Sequence, residues 1–334
     1  MINKISIVEK VHRTNNFFVE RILPDIGTIH VLKGEKVEPF TKMGEAKVSY
    51  FFEKIDPSFT LIREVNSYIE KGVCIGFKKK GHFKIARLYA PYSGFIRAVG
   101  DGSFIFEQDK EVFPLLSGAW GEVFDIVENK SVLILGSATI VYCAVSTPFE
   151  AEGELVVLPN PTELLEDPYF NKFTKDIAGK IIYSGYFIKL ENLKKAINLG
   201  VRGIIAGGVD KRSFDYAQKN GFVLASLNGY GRIPTPDSIF AFLSSVSNRY
   251  IFIRGEKGEI LIPGGEKFDT KMADRSKDYF TEIKNGMIVQ VLDRPYFGWM
   301  GVVKSVEGDK VEVVLDNAVE TVAVKSTNLL ALLF

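Results

Sequence analysis

Lys180-Ile-Ile-Tyr-Ser-Gly185, Val201-Arg-Gly-Ile-Ile-Ala-Gly-Gly-Val209 and Phe222-Val-Leu-Ala-Ser-Leu227 are three short apolar runs that end at or near glycine or a polar turn. The residues between them change period. Leu190, Leu193, Ala196 and Ile197 recur at helical spacing and Gly200 stops that helix. Asp210 is placed to cap a second helix carrying Phe214 and Ala217, closed by Asn220-Gly221. Thr235-Pro236-Asp237 reads as a third helix start, with a cap hydroxyl, proline at the first helical position and an acid in the first turn. The helix 238–245 then leads into the strand Tyr250-Ile-Phe-Ile-Arg254. Strand and helix alternating at this spacing predict a small parallel three-layer α/β unit.

Around this unit the chain reads as β. Residues 1–112 carry short β-like runs separated by glycine, and 113–160 add Gly121–Ile126, Ser131–Val145 and Gly153–Leu158. Pro159, Pro161 and the acids from Glu163 to Asp167 mark a break or a helix entry, and the charged stretch after Pro263-Gly264-Gly265 reads as a linker. From Gly286 to Leu315 alternating strands return, with Gly308-Asp309 in a hairpin position. The expected organisation is a β domain over 1–112, a further β segment over 113–160, an α/β domain over 161–262, a linker over 263–283 and a small barrel over 284–334.

Two resemblances sharpen this. The pieces Gly27-Thr-Ile-His-Val-Leu-Lys-Gly34-Glu-Lys-Val37 and Ala90-Pro91-Tyr-Ser-Gly94-Phe-Ile-Arg-Ala-Val-Gly100, with the echo Glu70-Lys-Gly72-Val-Cys-Ile-Gly76, resemble the biotinyl/lipoyl type of barrel-sandwich hybrid. That family implies a lysine-linked cofactor at a hairpin tip, eight residues before the second proline of the pattern. Here that position is Phe83, and Lys84 is one residue late, between Phe83 and Ile85. A one-residue slip turns a strand side chain to the other face, so a carrier lysine at Lys84 stays a third choice. Gly286-x-x-Val289-x-Val291, Pro295-Tyr-Phe-Gly298-x-x-Gly301-x-Val303, Val311-x-Val313 and the closing Asn328-Leu329 resemble a KOW domain, an SH3-like barrel. The resemblance implies contact with RNA, ribosome or polymerase, and the turn residues Arg294, Tyr296, Phe297 and Trp299 are the candidate contacts. This copy departs from the family in charge, with five basic and six acidic residues from Lys284 onward. Phosphate neutralisation supplies most nucleic-acid affinity, so protein contact ranks above RNA for the barrel.

The whole chain has 334 residues and a formal charge of +1, but the charge is uneven. Lys71, Lys78, Lys79, Lys80, Lys84, Arg87 and Arg97 fall within 71–100, with no carboxylate among them. Phe77, Phe83, Tyr89 and Tyr92 interleave with them. A basic stripe with aromatics fits an anionic partner. The plainer reading is a solvated hairpin whose acids come from elsewhere, such as Glu53, Glu64 or Glu107. In the α/β unit, ligands belong beyond the carboxyl ends of the strands. The anion-binding candidates there are Ser184, Gly207, Gly208, Lys211, Asn228, Gly229 and Arg232.

Two cysteines, Cys74 and Cys143, and three histidines, His12, His30 and His82, argue against a disulfide scaffold and against a Cys/His metal site. No metal, cofactor or catalytic set is indicated, since the α/β unit holds neither histidine nor cysteine. The N-terminus lacks an apolar signal core, and the run 132–145 is shorter than the ~18–20 residues of a spanning helix. A cytoplasmic chain without a membrane contact is therefore expected. The apolar end Asn328–Phe334 reads as a last strand or turn of the final domain, or else as a docking tail. The function these features point to is a non-catalytic binding or assembly protein with a macromolecular partner, either a protein assembly or RNA. The alternative is an enzyme or small-ligand protein using the α/β loops for an anion.

Overall fold

A computed structural model describes residues 4–80, 84–100, 102–157, 177–264, 279–316 and 320–333. The break at 159–167, most of the 263–283 linker, the hairpin tip with His82 and the side chain of Lys80 lie outside the described residues. The chain is mainly β, with three α-helices among the described residues: α1 (Leu190–Asn198), α2 (Lys211–Lys219) and α3 (Asp237–Ser245).

The strands Ile181–Tyr183, Gly203–Ala206 and Val223–Ser226 pair in parallel, in register Ile182↔Ile204↔Leu224. Their alternation sorts the core. Ile182, Ile204 and Leu224 pack with Leu193 and Ala196 of α1 and Ala217 of α2. Ile181, Tyr183, Ile205, Val223 and Ala225 face the other way, onto Ile239 and Leu243 of α3. With both faces covered, these strands are apolar throughout. Asp210 caps α2, its Oδ1 accepting from the Ser213 amide at 2.7 Å. The N-cap of α3 is one residue later than Thr235. Pro236 holds the cap position, and the Thr235 hydroxyl accepts a 2.7 Å hydrogen bond from the Tyr183 phenol.

The α/β unit is not a separate sheet. The strand Glu150–Val157 pairs in parallel with Ile181–Tyr183 through its second half and antiparallel with Tyr250–Arg254 through its first. The sheet then runs on through Glu259–Gly264 to the twelve-residue strand Ser131–Tyr142, which also pairs with Val11–Ile22. The parallel layer and the β segment before it thus belong to one eleven-stranded sheet.

Residues 1–112 divide among several sheets. Lys4–Glu9 lies between Phe280–Glu282 and Leu329–Leu333 in a seven-stranded C-terminal sheet, parallel to the latter at Ile7↔Ala331. The apolar end of the chain is therefore an interior strand, with Leu329, Ala331 and Leu332 buried, and not a free docking tail. Lys42–Val48 pairs antiparallel with Glu111–Leu116, ending at Val48↔Glu111. Everything between those two residues is an insertion with its own core of Ile55, Ile69, Ile75, Ala90, Ile96 and Phe106. The inserted lobe has two sheets. One runs Phe52–Ile55, Phe104–Gln108, Gly94–Ala98, Tyr68–Ile69; the other runs Lys84–Tyr89, Cys74–Lys80, Thr60–Leu61. Gly94 is fixed by close approach, since a Cβ there would stand 2.0 Å from the Glu107 carbonyl oxygen.

Because Ile5 is buried in the C-terminal core, the first strand is part of that fold. Ile5→Ala is expected to destabilise it by about 2–5 kcal/mol. Denaturant titration of Trp299 fluorescence in a Trp120→Phe background checks this, and an unchanged midpoint contradicts it.

Candidate functional site

The basic stretch forms the antiparallel hairpin of Cys74–Lys80 and Lys84–Tyr89, in register Lys79↔Ile85 and Arg87↔Phe77. Neighbouring residues of a strand point to opposite faces. Lys84 and Ile85 are both exposed, Ile85 at 63%, so both faces of the hairpin are uncovered at these positions. The charges divide into two groups. Lys78 meets Asp56 at 3.3 Å and lies over the Phe59 ring. Asp56 is held down to about 2, first by the Ser58 hydroxyl and amide and then by Lys78. Arg97 binds Glu107 at 2.8 Å and Asn66 Oδ1 at 2.8 Å. Lys71, Lys79, Lys84 and Arg87 make no ion pair among the described residues. Acids from elsewhere in the fold thus neutralise Lys78 and Arg97 among the six cations whose side chains are described, and the exposed group is concentrated on the hairpin.

The candidate turn of the C-terminal sheet is partly occupied. The Tyr296 hydroxyl donates to Glu320 Oε1 at 2.7 Å, and its ring meets Trp299 edge-on at 6.2 Å, both rings being half-buried. Gly298 has φ +85°, and a Cβ there would stand 2.6 Å from Ile233 Cδ1, so the turn seats against the loop of the α/β unit. Asp316 follows the strand Lys310–Leu315. Burial first, and then the Asp237 charge, raise its carboxyl. Arg294 and Phe297 are left exposed.

The α/β loops close on one another. Ser184, Gly207, Gly208, Asn228 and Gly229 are buried. The Gly207 amide donates to the Gly185 carbonyl at 2.9 Å, Gly208 to Tyr186 at 2.6 Å, Asn228 to Gly207 at 2.8 Å, and Gly229 to the Ser226 hydroxyl at 3.0 Å. These amides already have acceptors, and an anion would have to displace them. Lys211 pairs with Asp215 at 2.9 Å and Arg232 lies over the Phe187 ring. The structure brings the turn of the C-terminal sheet and these loops together, but as a packed junction. The basic hairpin belongs to a different lobe.

Sequence reasoning missed a cleft of about 560 Å³ where Val11–Ile22 approaches Glu150–Val157. Arg21 forms a bidentate pair with Glu152, its Nη2 donating to Oε1 at 2.8 Å, and the Tyr250 hydroxyl donates to the same oxygen at 3.0 Å. Arg202 and Arg254 donate to the carbonyls of Glu152 and Phe18. Burial alone would raise the Glu152 carboxyl, but the hydrogen bond and charge of Arg21, with Tyr250, outweigh it and hold the group below its ordinary value. The partners are 131 residues apart in the chain, so no local pattern announces them. Lys10 is also buried. Its Nζ donates to the Leu227 carbonyl at 3.2 Å, and burial lowers its pKa.

No helix among the described residues is long and apolar enough to cross a membrane, and no cluster of three metal-ligating side chains occurs among them. No family model matches the chain, and no curated protein matches it. Among solved structures, the solution NMR structure of a UPF0107 protein aligns at 14% identity, over 37% of this chain and 99% of that one, with a TM-score of 0.28. At that score the likeness says nothing of fold or function.

Removing one partner of a largely buried ion pair leaves the other uncompensated, at a cost of about 3–5 kcal/mol. Arg21→Met and Glu152→Gln are each expected to lose stability on that scale, and the double variant less than the sum. A carboxyl held below its unfolded value contributes stability above the ordinary carboxylate range and loses it as pH falls through the folded value. The gap between wild type and Glu152→Gln should therefore narrow on acidification in thermal melts. A pH-independent gap contradicts this.

Proposed function

We propose that the chain is a non-catalytic binding or assembly protein. In this reading a barrel-sandwich-hybrid-like region over 1–112, a packed α/β layer and a KOW-like barrel make up the chain, and an anionic macromolecule is the partner. The observation that carries the reading is the hairpin: Lys79, Lys84 and Arg87 are exposed on it without an ion pair among the described residues. Unpaired cations on an exposed element supply attraction and steering toward a polyanion. The barrel contributes less, because Tyr296 and Trp299 are packed and Arg294 and Phe297 are what its turn offers.

The alternative, an anion held by the α/β loops, requires free amides at the strand ends. The amides of Gly207, Gly208, Asn228 and Gly229 are bonded within the protein. Nothing about Lys84 favours a carrier role over a contact role, since an exposed lysine in a row of cations fits contact directly.

Affinity capture of the full chain from a native extract tests the proposal. The expected result is recovery of a defined assembly that is lost in the triple variant Lys79→Glu, Lys84→Glu, Arg87→Glu, while the melting temperature stays put because these side chains are exposed. Undiminished recovery by the triple variant overturns the role of the hairpin.

A further inference from the structure

The outer face of the four-stranded sheet in the inserted lobe has the wrong composition for a face turned to water. Its inner face supplies the core, with Ile55, Ile69, Ile96 and Phe106 buried. Outward positions of such a sheet are ordinarily polar. Here the directly opposed residues across all four strands are Phe52↔Glu107↔Phe95↔Tyr68, and the next row is Lys54↔Ile105↔Arg97. Opposed residues share a face, so three aromatic rings lie in one row about 14 Å long. Phe52 is 69% exposed and Tyr68 55% exposed.

Cross-strand packing explains part of this row. Tyr68 meets Phe95 edge-on at 5.7 Å, a contact that steadies a sheet. It does not explain Phe52, which lies two strands from Phe95, or the cations. Arg97 lies over the Phe95 ring at 4.7 Å while bound to Glu107, so a planar guanidinium covers the middle of the row and the one carboxylate there is neutralised. Lys54 adds an exposed charge. Flat rings, a guanidinium plane and positive charge are what unstacked bases bind, whereas a duplex buries its base faces.

The hairpin is rooted at the Tyr68–Phe95 end of the row. The Lys71 amide donates to Ser93 Oγ at 3.1 Å, and the Gly72 amide to the Ala90 carbonyl at 2.8 Å. Residues 50–108 hold nine basic and six acidic side chains, a net +3, which favours a polyanion over an apolar protein surface.

We propose that the face formed by Phe52 and Tyr68, with Lys54 and the Arg97 guanidinium over Phe95, stacks the bases of single-stranded nucleic acid. The inference rests on the hairpin reading and names its partner.

The test is fluorescence anisotropy of the full chain with a labelled uridine homopolymer of about twenty nucleotides, set against a duplex of equal length. Wild type is expected to prefer the single strand, with affinity falling as salt rises. Phe52→Ala with Tyr68→Ala should weaken single-strand binding by about tenfold or more, because each stacked base is lost with its ring. Phe52→Trp with Tyr68→Phe should retain it, and Lys54→Glu should weaken it without touching the core. No single-strand binding, equal binding of the duplex, or binding indifferent to the double alanine variant each overturns the proposal. The hairpin reading fails separately, by undiminished capture with the triple charge reversal. A partner captured through Phe52 and Tyr68 that survives nuclease is a protein, and it also overturns the nucleic-acid assignment.

Discussion

The strand Glu150–Val157 is the point through which the rest of the sheet is connected. Its eight residues pair antiparallel with Tyr250–Arg254 at one end and parallel with Ile181–Tyr183 at the other. Helices cover both faces at its parallel end. At its antiparallel end Glu152 reaches Arg21 on the strand Val11–Ile22. A strand held in this way has little freedom to slip. A one-residue shift would turn Leu155 out of the core and Glu152 away from its partner. The pair itself follows the rule for buried charges: it is costly to desolvate and costlier still to leave half-made, so its bidentate geometry and the Tyr250 hydroxyl matter more than its Coulomb attraction.

The inserted lobe springs from a separate three-stranded sheet. Val48 and Glu111 are opposed in one antiparallel pair, so the lobe leaves and re-enters that sheet at a single place and carries its own core. A self-contained insertion can expose unusual surface without weakening the sheet beneath it. The lobe does so twice, in the uncovered hairpin and in the aromatic row. The C-terminal sheet is used differently. Its turn seats Gly298 on Ile233, and the first strand of the chain lies within it. The C-terminal sheet thus has part of its turn committed to holding the chain together.

Local patterns were legible and distant pairings were not. The period change at Leu190–Ile197, the Asp210 cap and the glycine stops located the α/β elements, because each is fixed by neighbours within a few residues. The start of α3 defeated the same logic: the cap falls at Pro236, one residue after Thr235, whose hydroxyl accepts from Tyr183. Domain limits drawn from composition divided the chain at 112 and 161, yet Lys4–Glu9 pairs with Leu329–Leu333 and Glu150–Val157 pairs across the second limit. Pairings separated by hundreds of residues leave no period to read. The basic stretch was visible as charge, but which cations Asp56 and Glu107 neutralise depends on the fold. The aromatic row was invisible, because Phe52, Tyr68 and Phe95 become neighbours only through strand register.

The central claim is that binding belongs to the inserted lobe and that the rest of the chain is its support. Hydrogen–deuterium exchange of the full chain, with and without a saturating uridine homopolymer, tests this most directly. The account predicts protection concentrated in Phe52–Ile55, Tyr68–Ile69, Cys74–Tyr89 and Gly94–Gln108, with Met300–Leu315 unchanged. Protection confined to the C-terminal sheet or to the α/β loops, with the lobe unaltered, would contradict it.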